Sequence, residues 1–173
     1  MIELERTYLL KEIPKNLKQF KFKEIIDIYI PKSDAHPVLR IRKNGNKFEM
    51  TKKQPVKGTD SSCQEEQTII LNQEEFNELN KIDGKKVRKL RYIYEYKGRI
   101  AEVDVFQDLL KGLILVDFEF ENLDEMNSFK MPEFCLAEVT QEKFTAGGML
   151  CGKSYKDIEN ELMKFNYKKL VLV

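Results

Sequence analysis

The chain has 173 residues, of which 34% are charged, and its 30 basic side chains balance 29 acidic ones to a formal net charge of +1. This length fits one domain, over residues 1–173, and the charge balance argues against an extended nucleic-acid surface or a membrane surface. Three widely spaced cysteines without a Cys-x-x-Cys pair predict neither a disulfide framework nor a zinc site. No run approaches the roughly 20 apolar residues of a membrane span, so we expect a cytoplasmic protein.

The first predicted strand, Ile2–Leu10, carries two acidic side chains on one face. Glu3 and Glu5 alternate with Leu4 and Arg6. Because successive side chains of a strand point to opposite faces, the two carboxylates lie side by side, roughly 7 Å apart. A half-buried strand with a solvated polar face gives the same pattern, so this pair gains meaning only if it recurs.

A second strand, Phe22–Ile30, and a hairpin follow. The arms of the hairpin, residues 38–43 and 47–53, flank Asn44-Gly45-Asn46, whose turn chemistry favours an antiparallel pair. The second arm has two mixed faces, one formed by Phe48, Met50 and Lys52 and the other by Glu49, Thr51 and Lys53. The pattern does not decide which of these faces points inward.

The middle of the chain is predicted to form four more strands and a helix. After a loop over residues 54–62, a strand covers Cys63–Leu71 and a helix lies between Asn72 and Gly84. Two strands, residues 87–96 and Arg99–Phe106, then form a hairpin, and the last strand covers residues 113–120. The count thus reaches eight strands in hairpin-like succession.

The C-terminal part is predicted to be helix and loop. Asn122 caps a short helix, residues 134–152 form a loop around Gly147 and Gly148, and Ser154 caps a last helix. The apolar tail of residues 168–173 is a closing strand or a docked segment, and residues 154–173 form a C-terminal helix and tail. The fold class is therefore α+β, mainly β, and eight antiparallel strands can close into a barrel that leaves no exposed edge.

Pairs of like charges recur at a spacing of two on four further strands. They are Arg40 and Arg42, Lys89 and Arg91, Glu102 and Asp104, and Asp117 and Glu119. If these faces point outward, apolar side chains fill the barrel and the sequence says nothing of function. If they point inward, unpaired buried charges cost several kcal/mol each, and only a highly charged ligand such as polyphosphate with a divalent metal makes the arrangement tolerable.

Six motifs, in order over about residues 2–145, resemble the CYTH family, also called triphosphate tunnel metalloenzymes. They are Glu3-Leu4-Glu5-Arg6, Leu39-Arg40-Ile41-Arg42, Lys89-Leu90-Arg91-Tyr92, Glu102-Val103-Asp104-Val105-Phe106, Gly112-Leu113 leading to Asp117-Phe118-Glu119-Phe120, and Glu138-Val139-Thr140. The resemblance implies an eight-stranded antiparallel barrel, with helices packed outside, that hydrolyses a triphosphate in a charged tunnel with Mg²⁺ or Mn²⁺. The implied substrate is inorganic triphosphate, thiamine triphosphate or a nucleoside triphosphate, and a monomer or homodimer is expected.

The same resemblance assigns a role to each charged pair. Metal-site positions match Glu3, Glu5, Asp117 and Glu119. The basic phosphate cradle matches Arg40, Arg42, Lys52, Lys89 and Arg91. Glu102 and Asp104 match a further acidic strand that binds a second metal or positions water. In the expected reaction Glu102, Asp104 or Glu66 accepts the proton of the attacking water, and the sequence does not choose among these three catalytic candidates.

One departure from the family pattern leaves alternatives open. The opening motif of the family is Glu-x-Glu-x-Lys, and Thr7 stands where the lysine belongs. The alternatives to a triphosphatase are a class IV type adenylate cyclase, which makes cyclic AMP from ATP, and a module that binds triphosphate or polyphosphate without turnover. Orthophosphate as against pyrophosphate release from ATP separates the two enzymes.

Overall fold

The computed structural model describes residues 1–58 and 60–172, which form nine strands, four α-helices and short 3-10 turns. The strands are Ile2–Leu10 (β1), Phe22–Ile30 (β2), Leu39–Asn44 (β3), Lys47–Pro55 (β4), Cys63–Leu71 (β5), Lys85–Tyr96 (β6), Arg99–Phe106 (β7), Ile114–Phe120 (β8) and Cys135–Glu138 (β9). The helices are Gln73–Leu79 (α1), Leu123–Ser128 (α2), Gly147–Leu150 (α3) and Tyr155–Met163 (α4). Thr59, in the predicted loop of residues 54–62, and Val173, at the end of the predicted tail, lie outside the described residues.

The first eight strands close into an antiparallel barrel in the order β5-β4-β3-β2-β6-β7-β8-β1. The closure is a short pairing of β1 with β5, in which Glu3 lies opposite Gln64. Every pairing in the sheet is antiparallel. The predicted closed eight-stranded barrel is therefore confirmed.

Apolar side chains cover the outside of the barrel, and a further apolar cluster that includes Val87, Phe106 and Leu115 fills one end of its interior. On the outer face of β1 and β6 to β8, a buried cluster that includes Tyr8, Val103 and Phe118 packs against Met126 of α2. A smaller cluster packs the outer face of β2 and β3 against Phe76 of α1. Burial of these faces orients the alternating charged faces toward the lumen. Among the described residues, no helix has the length and apolar content needed to cross a membrane.

The segment predicted as a loop over residues 134–152 is partly regular. It contains β9, which pairs with the end of β1 through Tyr8 opposite Glu138, and it contains α3. This correction has a tertiary cause, because β5 pairs only with the start of β1 and leaves the rest of that edge free. The tail is the docked segment of the two alternatives, since Leu170 donates its backbone N–H to the carbonyl of Gly112 at 3.0 Å.

Two glycines allow this segment to pack against one end of the barrel. A Cβ atom at Gly147 would collide with the Tyr29 hydroxyl, and one at Gly148 would collide with the backbone carbonyl of Pro37. Glycine is required here for close approach of the backbone rather than for an unusual φ. The two glycines therefore serve close packing of this segment against the barrel.

We expect Gly148→Ala to lower the free energy of unfolding by about 1–3 kcal/mol, since the added methyl group would overlap the backbone carbonyl of Pro37. Urea unfolding measures the change. The control is Glu142→Ala at an exposed position of the same segment, with an expected change within about 0.5 kcal/mol. Equal stability of Gly148→Ala and the wild-type protein would contradict the close packing.

Candidate functional site

The barrel encloses a cavity of about 380 Å³, and half of the residues that line it are charged. Nine carboxylates line it: Glu3, Glu5, Asp27, Glu49, Glu66, Glu102, Asp104, Asp117 and Glu119. Five cations line it: Arg40, Arg42, Lys53, Lys89 and Arg91. With every group ionised, the lining of this tunnel carries a net charge of −4.

Of the twelve predicted site residues, eleven line the tunnel and Lys52 does not. The inner face of β4 carries Glu49 and Lys53, whereas Lys52 is exposed on the outer surface near Leu39 and Met50. The cause is the stacking of Phe48 on Phe76 of α1, with ring centroids 4.6 Å apart, which fixes the even-numbered residues of β4 outside. The assignment of Lys52 to the phosphate cradle is wrong, and Lys53 is the lysine of this strand that reaches the lumen.

Asp104 of β7 is locked between two cations of β6. Arg91 donates to both of its carboxylate oxygens at 2.7 Å, and Lys89 also pairs with it. Burial alone would raise the pKa of Asp104, but Arg91 and Lys89 outweigh it and lower this pKa to about 2. A carboxylate so saturated is a poor proton acceptor, so the geometry argues against Asp104 as the general base and makes it the residue that positions Lys89 and Arg91.

Asp27 of β2 holds Arg42 of β3 in position through a buried ion pair. The guanidinium donates to the two carboxylate oxygens at 2.6 and 2.8 Å, and Asp27 is only 1% exposed. Burial would raise the pKa of Asp27, yet the Arg42 charge and hydrogen bonds hold it well below its ordinary value. The sequence reasoning missed Asp27, although the run of isoleucines at 26, 28 and 30 places it on the opposite face.

Arg40 is the lumen cation with the least saturated contacts. It donates to the Tyr29 hydroxyl at 3.2 Å and to the Glu66 carboxylate at 3.5 Å. Its Nε is buried with no hydrogen-bond partner among the residues that the structure describes. A buried donor without a partner costs about 1–3 kcal/mol. An anionic ligand that enters the tunnel would relieve this cost.

The acidic end of the tunnel holds more negative charge than its neighbours neutralise. Asp117 accepts a hydrogen bond from the Thr7 hydroxyl at 2.7 Å, and burial followed by the charges of Glu5 and Asp104 raises its pKa. Partial burial followed by nearby carboxylates raises the pKa of Glu119, which forms no ion pair within residues 1–58 and 60–172. Burial is the larger cause of both pKa shifts, and the neighbouring carboxylates add a repulsion that a bound cation would relieve.

The donors at this end are all oxygen atoms, the ligands that Mg²⁺ and Mn²⁺ prefer. Among the described residues, however, no three acidic, histidine or cysteine side chains already converge as a metal site. Lys53 instead lies between Glu3 and Glu5, with its Nζ 2.7 and 2.8 Å from their carboxylate oxygens. The chemistry of the donors therefore fits a divalent metal, and in this structure the Lys53 ammonium lies between two of them.

Comparison with known proteins agrees with this architecture. The model of the CYTH domain matches residues 1–130. The chain belongs to the CYTH domain family. An inorganic triphosphatase of Nitrosomonas europaea is 28% identical to this CYTH protein over 145 residues, which cover 83% of this chain and 92% of that protein.

Solved structures extend the likeness to three dimensions. The crystal structure of an inorganic triphosphatase has a TM-score of 0.63 and 26% identity to the CYTH chain, and the match covers 87% of this chain and 95% of that one. A putative adenylate cyclase from Bacillus halodurans has a TM-score of 0.54 at 16% identity, over 99% of this chain and 93% of that one. The second likeness concerns the fold alone.

We expect Asp27→Asn to destabilise the CYTH domain by about 3 kcal/mol at pH 7, because it leaves the buried Arg42 charge without its partner. The control is Asp83→Asn, which removes an exposed pair with Lys32 (side chains 80% and 57% exposed) and should change stability by less than about 1 kcal/mol. Urea unfolding measures both.

The pH dependence of the same variant follows from the direction of the pKa shift. The folded-state pKa of Asp27 lies below its ordinary value of 3.8. The stabilisation by the pair is therefore complete above roughly pH 4 and is lost as the pH falls further. The stability difference between the wild-type protein and Asp27→Asn should narrow below that pH, and a difference that stays constant into acid would contradict the assignment.

Proposed function

We propose that this protein hydrolyses inorganic triphosphate in its tunnel, in a reaction that depends on a divalent metal. The observation that carries the proposal is the charge of the lining, with fixed cations along one wall and a surplus of carboxylates at one end, for a net charge of −4. A polyanion enters such a tunnel only together with cations that offset the surplus. The inorganic triphosphatase at 28% identity supports the same activity.

The aromatic groups of the lining favour an inorganic substrate over a nucleotide. Tyr29 and Phe106 are 4% and 3% exposed and belong to a buried apolar cluster. Neither ring therefore offers an open face on which a base could stack, the contact that aromatic side chains supply where bases bind. Binding then depends on contacts to the phosphoryl oxygens. In inorganic triphosphate no organic group is attached to any of these oxygens, whereas in a nucleotide the nucleoside occupies one of them.

The residues of the chain divide the work of hydrolysis. Arg40 binds the phosphate chain by charge-assisted hydrogen bonds. Lys89 and Arg91, held by Asp104, add positive charge at fixed positions that need no reorganisation as the reaction proceeds. A divalent metal, when bound by Glu3, Glu5, Asp117 and Glu119, would neutralise charge that develops on the phosphoryl oxygens.

Water supplies the nucleophile. Its oxygen forms a bond to the terminal phosphorus, the bridging P–O bond breaks, and orthophosphate and pyrophosphate are the products. Glu66 and Glu102 are the predicted carboxylates left as acceptors of the water's proton after Asp104 is set aside. Glu102 pairs with Arg91, and Glu66 accepts from Thr68 at 2.8 Å.

A substrate panel tests the proposal. Inorganic triphosphate, thiamine triphosphate, ATP and longer polyphosphate are each supplied with Mg²⁺ and with Mn²⁺, and the products are identified. We expect orthophosphate release to be fastest from inorganic triphosphate. Cyclic AMP with pyrophosphate from ATP would make the protein a cyclase, and saturable binding without turnover would make it a binding module.

We expect Glu119→Gln to reduce metal-stimulated orthophosphate release by at least about 100-fold, because it removes one oxygen ligand of the proposed metal. The matched control is Glu65→Gln on the exposed face of β5, which should leave turnover unchanged. Full turnover by Glu119→Gln, measured under saturating triphosphate and metal, would place the metal elsewhere.

We expect Arg40→Ala to weaken triphosphate binding by about 2–5 kcal/mol, which corresponds to roughly 30-fold to several-thousand-fold in affinity. Steady-state kinetics should show this loss mainly in KM. Lys52→Ala, which removes a cation from the outer face of β4, is the control and should behave as the wild-type protein. An unaltered KM in Arg40→Ala would exclude Arg40 from the cradle.

A further inference from the structure

Lys53 lies within the acidic end of the tunnel as its internal cation. Its Nζ is 2.7 Å from Glu3 Oε2 and 2.8 Å from Glu5 Oε1, and all three side chains are about four-fifths buried or more, with exposures of 16%, 21% and 17%. Glu5 also accepts a hydrogen bond from the side-chain amide of Gln64 at 3.1 Å. One ammonium group thus bridges two carboxylates that would otherwise repel each other.

The path of the Lys53 side chain shows what attracts it. Its directly opposite residue on β5 is Glu66, but Glu66 forms its ion pair with Arg40 at 3.5 Å. Lys53 instead extends past β5 to the carboxylates of β1. The excess negative charge of Glu3 and Glu5, rather than the nearest cross-strand carboxylate, therefore determines where this ammonium lies.

We propose that Lys53 is a resident counter-cation that competes with a divalent metal for Glu3 and Glu5. This inference rests on the proposed function, which places the metal at those carboxylates. Two cations cannot share the same oxygens without strong repulsion, so metal binding displaces the ammonium group. The displaced Lys53 then faces the lumen, where the phosphate chain is the next available anion.

The competition has two consequences for the acidic end. Where no metal is bound, Lys53 limits the repulsion between Glu3 and Glu5. The same contact explains why the described acidic side chains do not already converge as a metal site. It also couples the two ligands, because phosphate that holds the displaced Lys53 strengthens metal binding, and metal strengthens phosphate binding by the same factor.

The test is Mn²⁺ binding measured by isothermal titration calorimetry in the absence of any triphosphate. Lys53→Met removes the competing charge and should tighten Mn²⁺ binding by about tenfold or more. Lys52→Met is the matched control, since it removes the neighbouring lysine from the outside of the barrel, and should bind Mn²⁺ as the wild-type protein does. Unchanged or weaker binding by Lys53→Met would overturn the inference.

A second variant covers the case in which Lys53→Met does not fold. Lys53→Gln retains hydrogen bonding to the carboxylates without the charge, and should also bind Mn²⁺ more tightly than the wild-type protein. A purely structural role for Lys53 predicts weaker binding in this variant.

Triphosphate binding in the presence of saturating Mn²⁺ should become weaker in the same variants, because the displaced cation is missing. If the variants bind Mn²⁺ more tightly but the wild-type protein hydrolyses no triphosphate, the competition is retained and the proposed function is refuted. Metal-dependent hydrolysis by the wild-type protein, together with unchanged Mn²⁺ binding in the variants, would retain the proposed function and refute the competition.

Discussion

Two buried aspartates fix the positive wall of the tunnel. Asp27 and Asp104 are each 1% exposed, and they pair with Arg42 in one case and with Lys89 and Arg91 in the other. Charges removed from water at this depth cost several kcal/mol unless they are paired with good geometry. Short aspartate side chains on neighbouring strands supply that geometry, and they hold long, flexible cations in single positions along the barrel wall.

This pairing shifts the charge surplus to the other end. Because Asp27 and Asp104 take the shorter contacts of Arg42, Lys89 and Arg91, the carboxylates of β1 and β8 keep a surplus of negative charge, although Arg91 also lies 3.5 Å from Asp117. Lys53 serves Glu3 and Glu5, while Glu119 has no ion pair within the described part of the chain. Positive and negative side chains are therefore concentrated in different parts of the lumen. Under the proposed function the phosphate chain binds in one part and the metal in the other.

The sequence was sufficient for the barrel because alternation on β1, β7 and β8 is regular, and a buried outer face leaves only one orientation for the charges. It was insufficient where tertiary packing decides. The two faces of β4 are equally mixed, and only the stacking of Phe48 on Phe76 excludes Lys52 and admits Lys53. The four-residue strand β9 forms because one edge of β1 is free to pair with it. The local sequence pattern of residues 135–138 does not indicate that this edge is free.

The roles of the acidic residues were harder to predict than their positions. Glu102 and Asp104 stand two residues apart on β7 and both line the tunnel. What separates them is partner saturation, since Asp104 receives both Lys89 and Arg91 and becomes a positioning group. Alternation indicates the face of a side chain, but the reach of long cations from neighbouring strands decides which carboxylate they neutralise.

Thr7 shows how one departure from the family motif changes the balance of charge. A lysine at this position would add a cation to the acidic end and reduce the surplus in the lining from −4 to −3. Thr7 instead donates a neutral hydrogen bond to Asp117 at 2.7 Å. Lys53, the cation that lies between Glu3 and Glu5 at this end, comes from β4 on the far side of the closing seam and reaches these carboxylates by extending past β5. Under the proposed function the loss of the motif lysine therefore makes the tunnel more dependent on divalent metal, because an added charge must come from solution.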